Sequence, residues 1–125
     1  MNISIVGTGY VGLVTGVCLA ELGNRVICID SDKEKIAKLR QGVMPIYEPG
    51  LKELAVKNKK AGRISFSMSI AEGVKNSEII FIAVGTPPRV TGETDLSFVA
   101  KAAREIAESM DNYRIIVDKS TVPVE

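Results

Sequence analysis

The feature that most constrains the fold is a set of three glycines, Gly7, Gly9 and Gly12. They lie between a β-branched run of strand length, Asn2–Val6, and an apolar stretch of helix length at residues 11–22. At such a junction the first glycine can make the tight turn, the second lets a ligand approach the backbone, and the third lets the helix pack close to the strand. Because the helix N-terminus offers free N–H groups and a positive dipole end, the motif predicts a phosphate-binding turn.

Strand and helix patterns alternate along the rest of the chain. Further strands are expected at residues 25–30, 63–67 and 79–84, with a last buried strand at 114–117. Helices are expected from about residue 32 to 42, at 51–60, at 69–75 and after Asp95, the last with an apolar stripe of Leu96, Val99, Ala103, Ile106 and Met110. Such alternation implies parallel strands joined by right-handed crossovers. The sequence therefore predicts an α/β fold, a Rossmann-type doubly wound parallel sheet truncated after about the fifth strand.

The composition bounds the class of protein. The 125 residues make one domain, and a hydrophobic fraction of 46% is enough for a core. The 16 Lys and Arg residues balance 15 Asp and Glu residues, so no global charge draws the chain to nucleic acid or to an anionic membrane. The apolar runs are shorter than a membrane span, and no signal peptide follows Met1. We expect a cytoplasmic protein with neither a nucleic-acid nor a membrane partner.

The chain contains no histidine, and its two cysteines, Cys18 and Cys28, are ten residues apart. That spacing fits neither a redox pair nor a set of metal ligands, so we expect two buried free thiols and no metal. Any acid–base chemistry uses other groups or lies elsewhere.

Asp30 ends the second predicted strand, 18 residues beyond Gly12. This is close to the spacing of about 20 residues expected for a carboxylate that binds the adenine-side ribose of a dinucleotide. Such a carboxylate accepts hydrogen bonds from ribose hydroxyls and repels a 2′-phosphate, which favours NAD over NADP. The alternative is that Asp30 only caps the following helix.

Two threonines follow strands at the edge of the sheet where parallel sheets bind ligands. Thr86 comes after the fourth predicted strand and Thr121 after the fifth. From position alone, a cofactor contact and ordinary loop chemistry are equal alternatives for both. The turn that contains Tyr47 and Glu48 shows nothing that demands a ligand.

Five segments together resemble the UDP-glucose and GDP-mannose dehydrogenase family. They are IxIVGTGYVG at 3–12, DSDKEK at 30–35, PIYEPGL at 45–51, VGTPP at 84–88 and STVPV at 120–124. The resemblance covers essentially the whole chain. Members closest to this pattern, the UDP-glucose 6-dehydrogenase type, oxidise the C6 hydroxyl of UDP-glucose to a carboxylate and consume two NAD in succession.

The resemblance also implies roles for individual residues. The turn from Gly7 to Gly12, with Tyr10 and Val11, would cradle the NAD pyrophosphate, Asp30 would bind the ribose, and Lys35 would approach it. Thr86 would contact NAD, and Thr121 would lie beside the cofactor and help position a catalytic water. The family's catalytic cysteine and its sugar contacts would come after residue 125, and neither Cys18 nor Cys28 matches them.

The resemblance therefore implies that residues 1–125 form an N-terminal NAD-binding domain fragment, without the dimerisation and sugar-nucleotide domains. Such a fragment would bind NAD but would be inactive alone, and a UDP-sugar substrate would need the missing domains. The full-length protein would be a homodimer. A UDP-N-acetylmannosamine or GDP-mannose dehydrogenase fragment, or a stand-alone NAD-sensing regulatory domain, is the alternative.

Overall fold

The computed structural model describes residues 1–87 and 89–120. The strands are β1 (Asn2–Val6), β2 (Arg25–Ile29), β3 (Ile64–Ser67), β4 (Ile79–Ile82) and β5 (Ile115–Asp118). The helices are α1 (Tyr10–Glu21), α2 (Lys33–Arg40), α3 (Leu51–Lys60), α4 (Ile70–Asn76) and α5 (Ser97–Ser109). The predicted alternation is confirmed, and the elements form the expected Rossmann-type α/β fold.

All strand pairs are parallel, in the order β3-β2-β1-β4-β5. The chain runs outward from β1 through β2 to β3 and then returns to the other side of β1, where Ile3 pairs with Ile79. The strand order therefore reverses between β1 and β4. In open parallel sheets, ligands bind in the crevice at the carboxyl ends of the strands at such a reversal.

Two apolar clusters cover the two faces of the sheet. The larger cluster joins β1, β2 and β3 to the first three helices, with Leu13, Ile36 and Leu51 among its buried residues. The smaller cluster joins β4 to α4 and α5 through Ile80 and Ile106. The sheet is thus wound with helices on both sides, because its continuous apolar strands need a cover on each face.

Two helices approach the sheet closely at glycines. A Cβ built on Gly16 of α1 would lie 2.7 Å from the Cys28 sulfur in β2. A Cβ on Gly73 of α4 would overlap the Ile29 side chain and lie 2.7 Å from the Ser4 hydroxyl oxygen. Neither site has room for a larger residue without displacement of its neighbours.

Three sequence-based expectations are wrong. Cys18 is exposed, because it lies on the outer side of α1, whereas Cys28 is buried as predicted. The predicted stripe of α5 differs at two positions: Ala102 is buried in place of the exposed Ala103, and Leu96 is exposed and lies before the first residue of the helix. The strand β5 lies at one edge of the described sheet and is not buried, since three of its four residues are exposed.

The exposed residues of β5 include two large apolar side chains. Ile115 is 46% exposed and Ile116 is 43% exposed. Arg114 attaches the start of this strand to α4, as its Nε donates to the Val74 carbonyl oxygen at 2.7 Å. Across the described ranges, no helix has the length and hydropathy needed to cross a bilayer.

Candidate functional site

A cavity of about 820 Å³ opens at the carboxyl ends of β1, β2 and β4, where the strand order reverses. Its wall contains the last residues of two strands, Val6 and Ile29, and Ala83 just after a third. The cavity is also lined by seven residues that the sequence singled out, namely Gly7, Gly9, Tyr10, Val11, Asp30, Lys35 and Thr86. Segments far apart in the chain therefore meet around one space.

Gly12 is the one predicted residue within the described part of the chain that does not line this cavity. Gly12 lies behind the turn, where a Cβ would overlap the Gly7 carbonyl oxygen. Its position agrees with the expected close packing of helix on strand. Thr121 lies outside the described residues, although the preceding Ser120 lines the cavity and its hydroxyl donates to the Ile82 carbonyl oxygen at 3.3 Å.

The turn between β1 and α1 presents free backbone to the cavity. The Gly7 amide donates to the Ile29 carbonyl oxygen at 2.7 Å, which ties the turn to β2. Gly9 is the N-cap of α1, and its missing side chain leaves the first N–H groups of the helix without a side-chain acceptor. Apart from Gly9 itself and its two chain neighbours, no atom in the described part of the chain lies within 4 Å of the position that a Gly9 Cβ would occupy. An anion can therefore approach the helix N-terminus directly.

Asp30 lies beside this turn and is held by three backbone or side-chain donors. Its Oδ2 accepts hydrogen bonds from the Thr8 amide at 3.1 Å and from the Thr8 hydroxyl at 2.7 Å. Its Oδ1 accepts from the Asp32 amide at 2.9 Å. The Lys35 Nζ lies 3.7 Å from Oδ2. The carboxylate is thus fixed between the glycine turn and α2.

These contacts determine the charge of Asp30. Partial burial opposes ionisation, but the hydrogen bonds from Asp32 and Thr8, together with the nearby Lys35 ammonium, outweigh it and lower the pKa of the Asp30 carboxyl. At neutral pH the cavity therefore contains a fixed negative charge at the end of β2.

The alternative interpretation of Asp30, as only a helix cap, does not fit the geometry. The cap of α2 is Asp32, whose Oδ1 accepts from the amides of Glu34 and Lys35 at 3.0 and 3.1 Å. Because Asp32 accepts hydrogen bonds from the amides in the first turn of α2, Asp30 is not needed as the cap of that helix. Its carboxylate remains at the cavity wall.

Tyr10 connects the cavity to the loop between α2 and α3, for which no ligand contact was predicted. The Tyr10 hydroxyl donates to Glu48 Oε2 at 3.1 Å, across 38 positions of sequence. This hydrogen bond and the Glu48 charge raise the pKa of the Tyr10 phenol. Glu48 thus ties the loop between α2 and α3 to the first residue of α1.

Helix α5 also forms part of the cavity wall, which was not predicted from the sequence. Phe98, Lys101, Ala102 and Glu105 line the cavity, with Lys101 Nζ 4.0 Å from Glu105 Oε1. Their spacing of three and four residues places them on one helix face. That spacing could have revealed the face, but two of its members are charged and are typical of a solvated surface. The cavity is also lined by four further residues that were not predicted as site residues, namely Thr8, Met68, Ile70 and Lys119.

Neither thiol lines the cavity. Burial raises the pKa of the Cys28 thiol to about 12, so it stays protonated at neutral pH. Among the described residues, no group of three histidine, cysteine or acidic side chains is placed to hold a metal ion. The chemistry that the cavity offers is recognition by backbone N–H groups and a carboxylate.

A doubly wound sheet with a glycine turn at its first helix and a carboxylate after its second strand defines a dinucleotide-binding domain. The comparisons with known proteins identify the particular family. The family model for the UDP-glucose/GDP-mannose dehydrogenase family, NAD binding domain, matches residues 1–125. The chain therefore belongs to this family, as its NAD-binding domain, and NAD is its cofactor. The open approach to Gly9 and the ionised Asp30 carboxylate fit that cofactor.

Individual relatives agree with this result. The chain is 53% identical over 123 residues to the UDP-glucose 6-dehydrogenase TuaD of Bacillus subtilis, covering 98% of this chain and 27% of that protein. It superposes on a UDP-glucose dehydrogenase from Pyrobaculum islandicum with a TM-score of 0.92 and 42% identity, covering 97% of this chain and 29% of that one. A ternary complex of GDP-mannose dehydrogenase from Pseudomonas aeruginosa gives a TM-score of 0.94 at 38% identity, with coverages of 98% and 29%. The chain thus spans less than a third of these relatives.

Proposed function

We propose that this chain is the NAD-binding portion of a dehydrogenase that oxidises UDP-glucose to UDP-glucuronate with two NAD in succession. The observation that carries the proposal is the single cavity that joins the open turn at Gly9 to the ionised carboxylate of Asp30. The two groups match two polar parts of the adenosine diphosphate portion of NAD, the pyrophosphate and the adjacent ribose. The relatives named above support the substrate.

The proposal assigns a role to each predicted residue. The pyrophosphate lies on the N-terminus of α1 over Gly9, with Tyr10 and Val11 beside it, and a ribose hydroxyl donates to Asp30. Lys35 approaches the ribose from α2. Thr86 contacts the cofactor from the loop after β4, and Thr121 is proposed to lie beside the cofactor and to help position a catalytic water. When bound, NAD would accept the hydride removed from C6 of the sugar as its hydroxyl is oxidised.

The same geometry supports a preference for NAD over NADP. A 2′-phosphate on the ribose would meet the Asp30 carboxylate, and the two negative charges repel. Lys35 lies 3.7 Å from Asp30 Oδ2, so its positive charge is already balanced by that carboxylate. We expect the discrimination to be lost when the Asp30 charge is removed.

The remaining parts of the reaction are assigned to the rest of a longer protein. We propose that the nucleophile and the sugar-nucleotide contacts lie outside residues 1–125, that the whole protein is a cytoplasmic homodimer, and that the UDP-sugar binds only with those further domains. GDP-mannose oxidation is the second candidate activity, because the Pseudomonas aeruginosa structure superposes as well as the UDP-glucose dehydrogenase does.

Two measurements on one preparation of the 125-residue chain test this proposal. NAD should raise the melting temperature, since a ligand at 100 times its dissociation constant stabilises a protein by about 2.7 kcal/mol. NAD with UDP-glucose should produce no sustained NADH. Sustained NADH production would contradict the assignment of the nucleophile elsewhere, and the absence of a thermal shift would contradict the binding role.

Calorimetric titration of variants tests the residue assignment. Asp30→Asn should weaken NAD binding and reduce the preference over NADP, because it removes the charge from the ribose acceptor. Glu34→Gln is the matched control, since it removes one negative charge from the exposed first turn of α2, outside the cavity lining. Equal effects of the two variants would contradict a specific role for Asp30.

A further inference from the structure

We propose that Thr8 is a positioning residue that holds the Asp30 carboxylate in one orientation for the cofactor ribose, and thereby sets the preference for NAD over NADP. The proposal rests on the proposed function, which assigns the ribose to Asp30. It concerns a residue that the glycine motif leaves unspecified, between Gly7 and Gly9.

Thr8 is fully buried, with 0% of its surface exposed, although its side chain is polar. Its amide and its hydroxyl donate to the same oxygen, Asp30 Oδ2, at 3.1 and 2.7 Å. Two donors from one residue fix both the position and the rotation of the carboxylate. The turn that receives the pyrophosphate therefore also determines where the ribose acceptor stands.

The hydrogen-bond capacity of Asp30 shows what this arrangement leaves for a ligand. An ionised carboxylate has about four acceptor positions. Thr8 fills two of them on Oδ2, and the Asp32 amide fills one on Oδ1 at 2.9 Å. Lys35 Nζ, at 3.7 Å, is too distant for a hydrogen bond. Within the described structure, one acceptor position on Oδ1 therefore remains for a ribose hydroxyl.

This arrangement affects both affinity and specificity. A carboxylate already fixed in its binding orientation loses little conformational freedom when the ribose arrives. The same donors favour its charged form, which accepts a hydroxyl and repels a 2′-phosphate. Loss of the Thr8 hydroxyl should leave Asp30 freer to rotate and easier to protonate. A valine retains the shape of threonine, so the effect of the hydroxyl can be separated from that of packing.

The test compares Thr8→Val with Thr8→Ser in the 125-residue chain, with Thr15→Val as the control. Thr15 lies on α1, the helix that follows the turn of Thr8, and outside the cavity lining, so its variant removes a threonine hydroxyl without touching Asp30. We expect Thr8→Val to weaken NAD binding about tenfold, the scale of one hydrogen bond to a charged group. Its ratio of NAD to NADP affinity should fall. Thr8→Ser, which retains the hydroxyl, should restore both quantities toward the unsubstituted values.

The pH dependence distinguishes positioning from simple packing. NAD binding should fail on acidification as Asp30 becomes protonated, and it should fail at a higher pH in Thr8→Val, because the lost hydroxyl no longer favours the carboxylate. Carbon-13 NMR titration of Asp30 without cofactor should show the same upward displacement of its pKa. If valine prevents folding, Thr8→Ala allows the same comparison.

Asp30→Asn separates the failure of this inference from the failure of the proposed function. If Asp30→Asn leaves NAD binding unchanged, the ribose assignment is wrong and the inference falls with it. If Asp30→Asn weakens binding while Thr8→Val matches the unsubstituted chain in affinity, cofactor ratio and Asp30 titration, the proposed function stands and the role of Thr8 is overturned.

Discussion

Gly12 packs so closely behind Gly7 that a Cβ on Gly12 would overlap the Gly7 carbonyl oxygen. Gly7 in turn has a φ of +111° and lies against the Ala83 carbonyl, where a Cβ would also overlap. Gly9 differs from both, with a φ of −74° and open space around its Cβ position in the described structure. Two glycines of the motif therefore shape the turn, and one leaves room for a ligand.

Gly9→Val should abolish NAD binding while the fold survives. The valine side chain would project into the cavity over the helix N-terminus, where the pyrophosphate is proposed to lie. Its φ is accessible to valine, so the backbone need not change. Calorimetry with NAD and thermal unfolding without NAD measure the two effects.

Gly12→Ala is the matched counterpart, and its main effect should be on stability, whereas that of Gly9→Val should be on NAD binding. Its added methyl group meets backbone that cannot move aside, so we expect a loss of stability of about 1–3 kcal/mol. If Gly9→Val destabilises the chain as much as Gly12→Ala does, the division of roles among the glycines is wrong.

The two cysteines should differ sharply in reactivity. Cys18 is exposed, whereas Cys28 is buried beside Gly16 and burial raises its pKa to about 12. An alkylating reagent needs an accessible thiolate, so the native chain should be modified at Cys18 and protected at Cys28. Mass spectrometry after alkylation, with a denatured sample as the control, measures this. Rapid native modification of Cys28 would show that α1 does not cover β2 as described.

Acid should weaken the link between α1 and α3. Hydrogen bonds from Lys57, at 2.7 Å, and from Asn58, at 2.8 Å, lower the pKa of Glu21 below its ordinary value. A lowered folded-state pKa means that the stabilisation is present above the unfolded pKa of about 4.3 and is lost as the pH falls through the folded value. The pH dependence of unfolding should therefore become shallower there in Glu21→Gln.

Glu108→Gln is the control for this experiment, since Glu108 is exposed on α5. Denaturant unfolding of both variants between neutral pH and about pH 3, where carboxylates titrate, measures the difference. The same pH dependence for Glu21→Gln and for the unsubstituted chain would contradict the role of Glu21.

The sequence predicted the elements well because apolar periodicity and glycine position are local properties. Residues 2–6 and 51–60 form a strand and a helix with the predicted bounds, and the turn at Gly7 opens the first helix as expected. The errors occur where the burial of a residue depends on tertiary packing. The apolar residues of β5 are typical of a buried strand, but exposure depends on which elements cover it. Cysteine is a typical core residue, but Cys18 lies on the exposed outer side of its helix.

The candidate site was predicted in part for the same reason. Asp30 and the glycines follow a spacing that a short motif records, and the structure brings them to one cavity. The donation by Thr8 to Asp30 and the contact of Tyr10 with Glu48 depend on how separate segments meet. A threonine between two glycines or a glutamate in a turn is common in sequences, so these pairings become visible only in three dimensions.

The pairing of β1 with β4 also has a consequence for how the chain is made. Ile3 leaves the ribosome well before its partner Ile79 and before Ala83, which lies against Gly7 in the turn. Until β4 is synthesised, β1 can pair only with β2 and its other edge stays unpaired. The turn between β1 and α1 also lacks its contact with Ala83 during this time. NAD can thus favour only the folding steps that follow the synthesis of β4, and a nascent chain stalled before β4 should not be stabilised by it.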